Sequence, residues 1–120
     1  MNEARRILFV CSQNSLRSPT AEQLYRDNAR LKVRSAGVDR GATQRLTAEM
    51  LDWAEEVFVF EWEQSDEIRR QFPEQYSSVT IECLNVPDDY GFMEPALVTL
   101  LAKRLTPYLG APERTDVPGL

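Results

Sequence analysis

No histidine occurs anywhere in the 120 residues. That removes Ser-His-Asp and Cys-His catalysis, both of which need an imidazole as the base. Cysteine is scarce too: Cys11 and Cys83 stand alone. A structural zinc site, built from several Cys and His ligands, is therefore not expected. One disulfide is the most that two cysteines allow, and in a cytosolic chain free thiols are the expectation. Long apolar runs are also missing. Nothing approaches the roughly 18 residues of a membrane helix, and Ile7–Val10 is too short for a signal-peptide core and has no cleavage site after it. The expectation is a cytoplasmic protein starting near Met1, with no membrane partner. Finally, no run of lysine and arginine offsets a formal net charge of −5. Nucleic acid is thus not an expected partner, although a locally positive site can still hold a small anion.

What the sequence does contain is an alternation of apolar runs and amphipathic segments. Arg6–Cys11 is a first strand whose unbroken apolar run suits burial on both faces. Ser18 is a candidate N-cap with Pro19 at the first helical position, and the helix extends to about Asn28 with Ala21, Leu24 and Tyr25 on one stripe. Lys32–Ala36 is a second strand ended by Gly37. Thr47–Ala54 is a short helix, and Val57–Phe60 a buried central strand. Gln64–Phe72 is a helix with acids early and arginines late, stopped by Pro73. Val79–Leu84 alternates in the manner of an edge strand. Pro95 to about Tyr108 is a helix burying Leu97, Leu100, Leu101, Leu105 and Tyr108, tightened or ended by Pro107. Residues 1–109 are expected to form a single domain and 110–120, with Pro112 and Pro118, a disordered tail.

Four strands alternating with helices imply a three-layer α/β fold, a four-stranded parallel sheet with helices on both faces, of the flavodoxin-like type. Ligands in such sheets bind beyond the carboxyl ends of the strands. Cys11, Gly37, Glu61 and Asn85 lie at those ends, so the loop Cys11–Ser18 should meet the loop Asn85–Glu94 in space.

The first loop, Cys11-Ser12-Gln13-Asn14-Ser15-Leu16-Arg17-Ser18-Pro19, has chemistry of its own. Its backbone amides can curl into a nest for an oxyanion, reinforced by the helix N-terminus that follows. A thiol at the edge of that nest feels the same field, which favours its nucleophilic thiolate. Arg17 offers a planar fork for two phosphate oxygens. The Ser18 hydroxyl can donate to the sulfur, and Asn14 tolerates the left-handed backbone angles of a tight nest. The loop lacks glycine and Gly-Lys-Thr, so it is not a nucleotide P-loop. The plainer alternative is a buried cysteine at a strand end with an arginine nearby by chance.

The stretch Val10 to Glu22 resembles the signature loop of the low-molecular-weight protein tyrosine phosphatases, in particular their short bacterial relatives. Arg34-Ser35-Ala36-Gly37 resembles that family's second strand, and Val86-Pro87-Asp88-Asp89-Tyr90 its acid loop. The resemblance implies the fold of that family and a phosphomonoester hydrolase acting through a phosphocysteine on Cys11. Ser12, Gln13, Asn14, Ser15, Leu16, Arg17 and Ser18 would bind the phosphate. Asp88, or alternatively Asp89, would be the general acid, and no metal or other cofactor is needed. Asp89 and Tyr90 would border the pocket, with Phe92 as a further aromatic. The substrate would be a protein phosphotyrosine or a small phosphoester. Departures from the family pattern are Gln13 for glycine, Leu16 for a second cysteine, Asp89 for proline and a shortened, non-aromatic segment Val38–Arg45. Rival readings are an arsenate reductase using Cys83, a sugar-transport phosphocarrier and a phospho-binding regulator without turnover.

Overall fold

The structure, a computed structural model, describes residues 4–112. The apolar run Ile7–Val10 lies in strand β1 (Arg5–Cys11), and every residue from Ile7 to Val10 is fully buried. Helix α1 (Arg17–Tyr25) returns the chain to β2 (Leu31–Gly37). Then come α2 (Ala48–Trp53), β3 (Glu56–Val59), α3 (Trp62–Gln71), the single turn α4 (Pro73–Tyr76), β4 (Thr80–Cys83) and α5 (Pro95–Leu109). The strands pair in parallel in the order β2-β1-β3-β4. The expected four-stranded parallel α/β sheet is what forms.

The strand pleat sends alternate residues to two separate cores. Ile7, Phe9 and Cys11 face α1 and α5, packing with Ala21, Leu24, Tyr25, Leu97, Leu101 and Leu105. Leu8 and Val10 face α2 and α3, with Leu51, Val57, Val59 and Ile68. The alternation expected of β4 holds: Val79, Ile81 and Cys83 pack on the second core, and Leu84 belongs to the first. Cys11 and Cys83, both free thiols, thus lie on opposite faces of the sheet.

Several boundaries differ from expectation for identifiable reasons. Ser18 is not the N-cap of α1. Leu16 takes that place without a side-chain bond, and the helix starts at Arg17 and ends at Tyr25. The Ser18 hydroxyl is occupied elsewhere, as described below. Helix α3 begins two residues early because Glu61 and Gln64 form a reciprocal capping box. Pro73 does end α3, but its fixed φ also opens α4. Pro107 sits inside α5, which continues to Leu109. The buried stripe of α5 shifts accordingly: Val98 and Leu109 are buried, Leu100 is half-buried, and Tyr108 is exposed with its ring edge-on to Phe58. Fully buried Tyr25 donates its hydroxyl to the Gly110 carbonyl at 2.8 Å, and desolvation pushes its pKa up to about 12. Pro112 is buried too; the remainder of the expected tail, 113–120, lies outside the described residues.

Candidate active site

Strand β1 is an inner strand, and the chain crosses from one side of it (β2) to the other (β3), so its carboxyl end is the switch point of the sheet. Cys11 sits there, 3% exposed. The loop that follows turns its carbonyls outward. Those of Cys11, Ser12 and Gln13 accept from the amides of Val38, Asp39 and Thr43 at 3.0, 2.9 and 3.0 Å. Because peptide units are planar and trans, the N–H groups next along point the opposite way. The Asn14 amide accordingly donates to Cys11 Sγ at 3.2 Å. Asn14 holds φ at 54°, the left-handed geometry its side chain tolerates, and is itself buried.

Ser18 lies under the sulfur, fully buried. Its hydroxyl accepts from Asn14 Nδ2 at 2.8 Å. Its one proton has two possible acceptors, Cys11 Sγ at 3.0 Å and the Ala36 carbonyl at 3.3 Å. A thiolate, being charged, draws that proton more strongly than a carbonyl does. The first turn of α1 thus supplies a hydroxyl for the sulfur, a task that removes Ser18 from helix capping.

Arg17 is 3% exposed, so its guanidinium must be satisfied within the protein. Nη1 donates to Glu61 Oε1 at 2.6 Å and to the Val86 carbonyl at 2.8 Å, and the guanidinium carbon sits 5.9 Å from the centre of the Phe60 ring. Nε lies 3.8 Å from Asp88 Oδ1. The ends of β3 and β4 therefore aim this arginine, and the expected meeting of the first loop with the Asn85–Glu94 loop occurs through it. Asp88 and Asp89 are both exposed; Asp88 is the one paired with Arg17. Tyr90 is half-buried against the first core, and Phe92 is 53% exposed beside Asn14, Ser15 and Pro19.

Two contributors went unrecognised in the sequence. Gln64, 1% exposed, accepts from the amides of Phe60 and Glu61 through Oε1 and donates from Nε2 to Ser12 Oγ at 3.1 Å. Glu61 uses its carboxylate on Arg17 while capping α3. The pattern Glu61-x-x-Gln64 was the available signal for both, weakened because glutamate is not a favoured cap. The segment Val38–Arg45, shorter than the family pattern and without an aromatic residue, serves as a clamp on the outer side of the loop.

Gly37 permits that clamp. A Cβ there would lie 2.5 Å from the Ser12 carbonyl oxygen, 2.7 Å from Ala42 Cβ and 2.9 Å from the Asn14 nitrogen. Two of these are backbone atoms of the anion loop and cannot rotate away. Gly37→Ala is expected to lower stability by about 1–3 kcal/mol and to weaken phosphate binding by disturbing the Asn14 amide. Thermal unfolding and competitive inhibition by inorganic phosphate measure the two effects.

Comparison with known proteins agrees with this fold. The model of the low molecular weight phosphotyrosine protein phosphatase family matches residues 6–81. No curated protein matches the chain significantly. Among solved structures, the phosphate complex of the tyrosine phosphatase Wzb from Escherichia coli superposes with a TM-score of 0.73 at 21% identity, covering 88% of this chain and 96% of that one. The tyrosine phosphatase AmsI from Erwinia amylovora gives 0.68 at 21%, covering 92% and 95%. The arginine phosphatase YwlE from Geobacillus stearothermophilus gives 0.62 at 26%, covering 86% and 91%. With the family model spanning more than half of its length, this chain belongs to the low molecular weight phosphotyrosine protein phosphatases.

Proposed function

We propose that this cysteine-dependent phosphatase hydrolyses phosphomonoesters, phosphotyrosine first among them, through a phosphocysteine on Cys11 with Arg17 and Asp88 as its partners. The observation that carries the assignment is a sulfur held by an amide and a hydroxyl at 3.2 and 3.0 Å, at the head of a loop that ends in a buried arginine. In the first step the Cys11 sulfur gives an electron pair to phosphorus while the bond to the leaving oxygen breaks. Asp88, in its acid form, passes its proton to that oxygen. Amides of residues 12–17 and the Arg17 guanidinium bind the remaining phosphoryl oxygens. In the second step the Asp88 carboxylate takes a proton from water as the water oxygen bonds phosphorus and the S–P bond breaks. Inorganic phosphate leaves, and the thiolate and the acid are restored.

General acids of this kind contribute about 10²- to 10⁴-fold. Asp88→Asn is therefore expected to lower kcat on an aryl phosphate about 100-fold or more, with the loss growing as the leaving group becomes more basic. Asp89→Asn, at a position without the contact to Arg17, should change kcat less than about threefold. The reverse order would transfer the role to Asp89.

A phosphorylated arginine is a second reading. It is supported by the likeness to an arginine phosphatase and by a rim carrying exposed carboxylates at both 88 and 89. Arsenate reduction is disfavoured because Cys83 lies on the opposite face of the sheet from Cys11, with burial the main influence raising its pKa. No helix among the described residues is long and apolar enough to cross a membrane, and both cysteines are free thiols, which is compatible with action in the cytoplasm. Hydrolysis of a panel of aryl phosphate, phosphotyrosine peptides, phosphoarginine and small phosphometabolites, run beside Cys11→Ser, tests the assignment. Equal turnover by both proteins would defeat it.

A further inference from the structure

Among the described residues the exposed large apolar side chains are Trp62, Phe92 and Tyr108, and Trp62, at 59%, is the most exposed. A single exposed apolar side chain needs no explanation in itself. The position of Trp62 does. It opens α3 directly after Glu61, whose carboxylate holds Arg17. It also lines a cavity of about 290 Å³ together with Glu61, Glu63, Asn85 and Pro87. Pro87 in turn precedes Asp88, which pairs with the same arginine. The cavity therefore adjoins the Arg17 edge of the phosphate site, joined to it through both α3 and the loop after β4.

Its chemistry is of one kind. An indole and a proline ring supply apolar surface, two glutamates supply negative charge, and no cationic side chain is among the lining residues. Asp88 and Asp89 continue the negative charge along the rim. An acidic side chain or a second phosphate would be repelled there. An aliphatic side chain would cover the indole but leave the carboxylates without a counter-charge. An ammonium or guanidinium group meets both, since an indole face attracts cations and a carboxylate pairs with them. Glu61 is already engaged by Arg17, which leaves Glu63, an exposed residue of the lining, to supply the attracting charge.

We propose that the Trp62–Glu63–Pro87 cavity is a subsite for a lysine or arginine side chain close in sequence to the phosphorylated residue of a protein substrate. The subsite rests on the phosphatase reading above and adds a substrate preference: phosphorylation sites with basic neighbours. The net charge of −5 favours the same substrates during encounter.

The test uses two fluorescently labelled phosphotyrosine peptides that differ only in carrying lysine or alanine on either side of the phosphotyrosine. Their binding to the full-length Cys11→Ser protein is followed by anisotropy, so the readout does not depend on turnover. The lysine peptide is expected to bind about tenfold more tightly, and less so as salt rises. Trp62→Ala or Glu63→Gln in the same background should bring that ratio below about threefold, with Trp62→Phe intermediate because it keeps a ring face. Equal affinities, no binding of either peptide, or a ratio unmoved by both Glu63→Gln and Trp62→Phe would overturn the subsite. Failure of the wild-type protein to hydrolyse both peptides and an aryl phosphate would instead overturn the phosphatase reading, with the binding ratio still deciding the subsite.

Discussion

Replacing Cys11 by serine should abolish aryl phosphate turnover, by about 10⁴-fold or more, while phosphate still binds. The reason lies in what surrounds the sulfur. The Asn14 amide donates to it and the Ser18 hydroxyl lies 3.0 Å away, an arrangement suited to a sulfur that attacks as the thiolate. A serine hydroxyl must first lose a far more tightly held proton, and the partners of this position, the Asn14 amide and the Ser18 hydroxyl, include no base to remove it. No histidine exists in the chain, and Asp88, the carboxylate paired with Arg17, serves as the acid of that step in the proposed mechanism. The anion-binding groups of the proposed site are backbone amides and Arg17, none of which the substitution removes. Steady-state kinetics on an aryl phosphate measure the first effect and displacement of a phosphopeptide by inorganic phosphate the second. A serine variant retaining more than about one per cent of wild-type turnover would remove Cys11 from the chemistry.

The parts of this architecture legible in the sequence are those governed by local pattern. Ile7–Val10 and Val57–Phe60 announce buried strands because parallel strands covered on both faces are continuously apolar. Asn14 was readable because few residues other than asparagine and glycine accept its φ of 54°. The errors fall where one side chain serves a distant partner. Ser18 has every local mark of a helix cap, yet the other expectation, contact with the sulfur, is the one that holds: its hydroxyl meets Cys11, Asn14 and the Ala36 carbonyl of β2. Tyr108 shares a helical stripe with Leu101 and Leu105 and its ring meets Phe58, but its hydroxyl reaches Glu82 on the edge strand β4 and the side chain stays exposed, while Leu109 is buried. Glu61 and Gln64 were hidden because their importance comes from contacts with Arg17 and Ser12, 44 and 52 residues away. Spacing along the chain holds no record of such pairings.

The Glu61–Arg17 pair leads to the second large effect. Arg17→Ala is expected to lower kcat/KM on an aryl phosphate by about 10³-fold, in the range seen when a charged transition-state contact is removed. Two losses combine in that number. The cation proposed to hold the phosphoryl oxygens disappears, and the Glu61 carboxylate, previously neutralised at 2.6 Å, is left beside a dianionic substrate. The second contribution can be separated from the first. Glu61→Gln alone keeps an acceptor for Arg17 and should cost only a few-fold, whereas in the Arg17→Ala background it removes the stranded charge and should recover about tenfold of the lost kcat/KM. Arg17→Lys should remain closer to the alanine variant than to wild type, because one ammonium group cannot serve Glu61, the Val86 carbonyl and two phosphate oxygens in the plane that the guanidinium provides. A double-mutant cycle on kcat/KM therefore measures how far Glu61 acts through Arg17. Strictly additive losses would show that the two side chains, though in contact, act independently on the substrate.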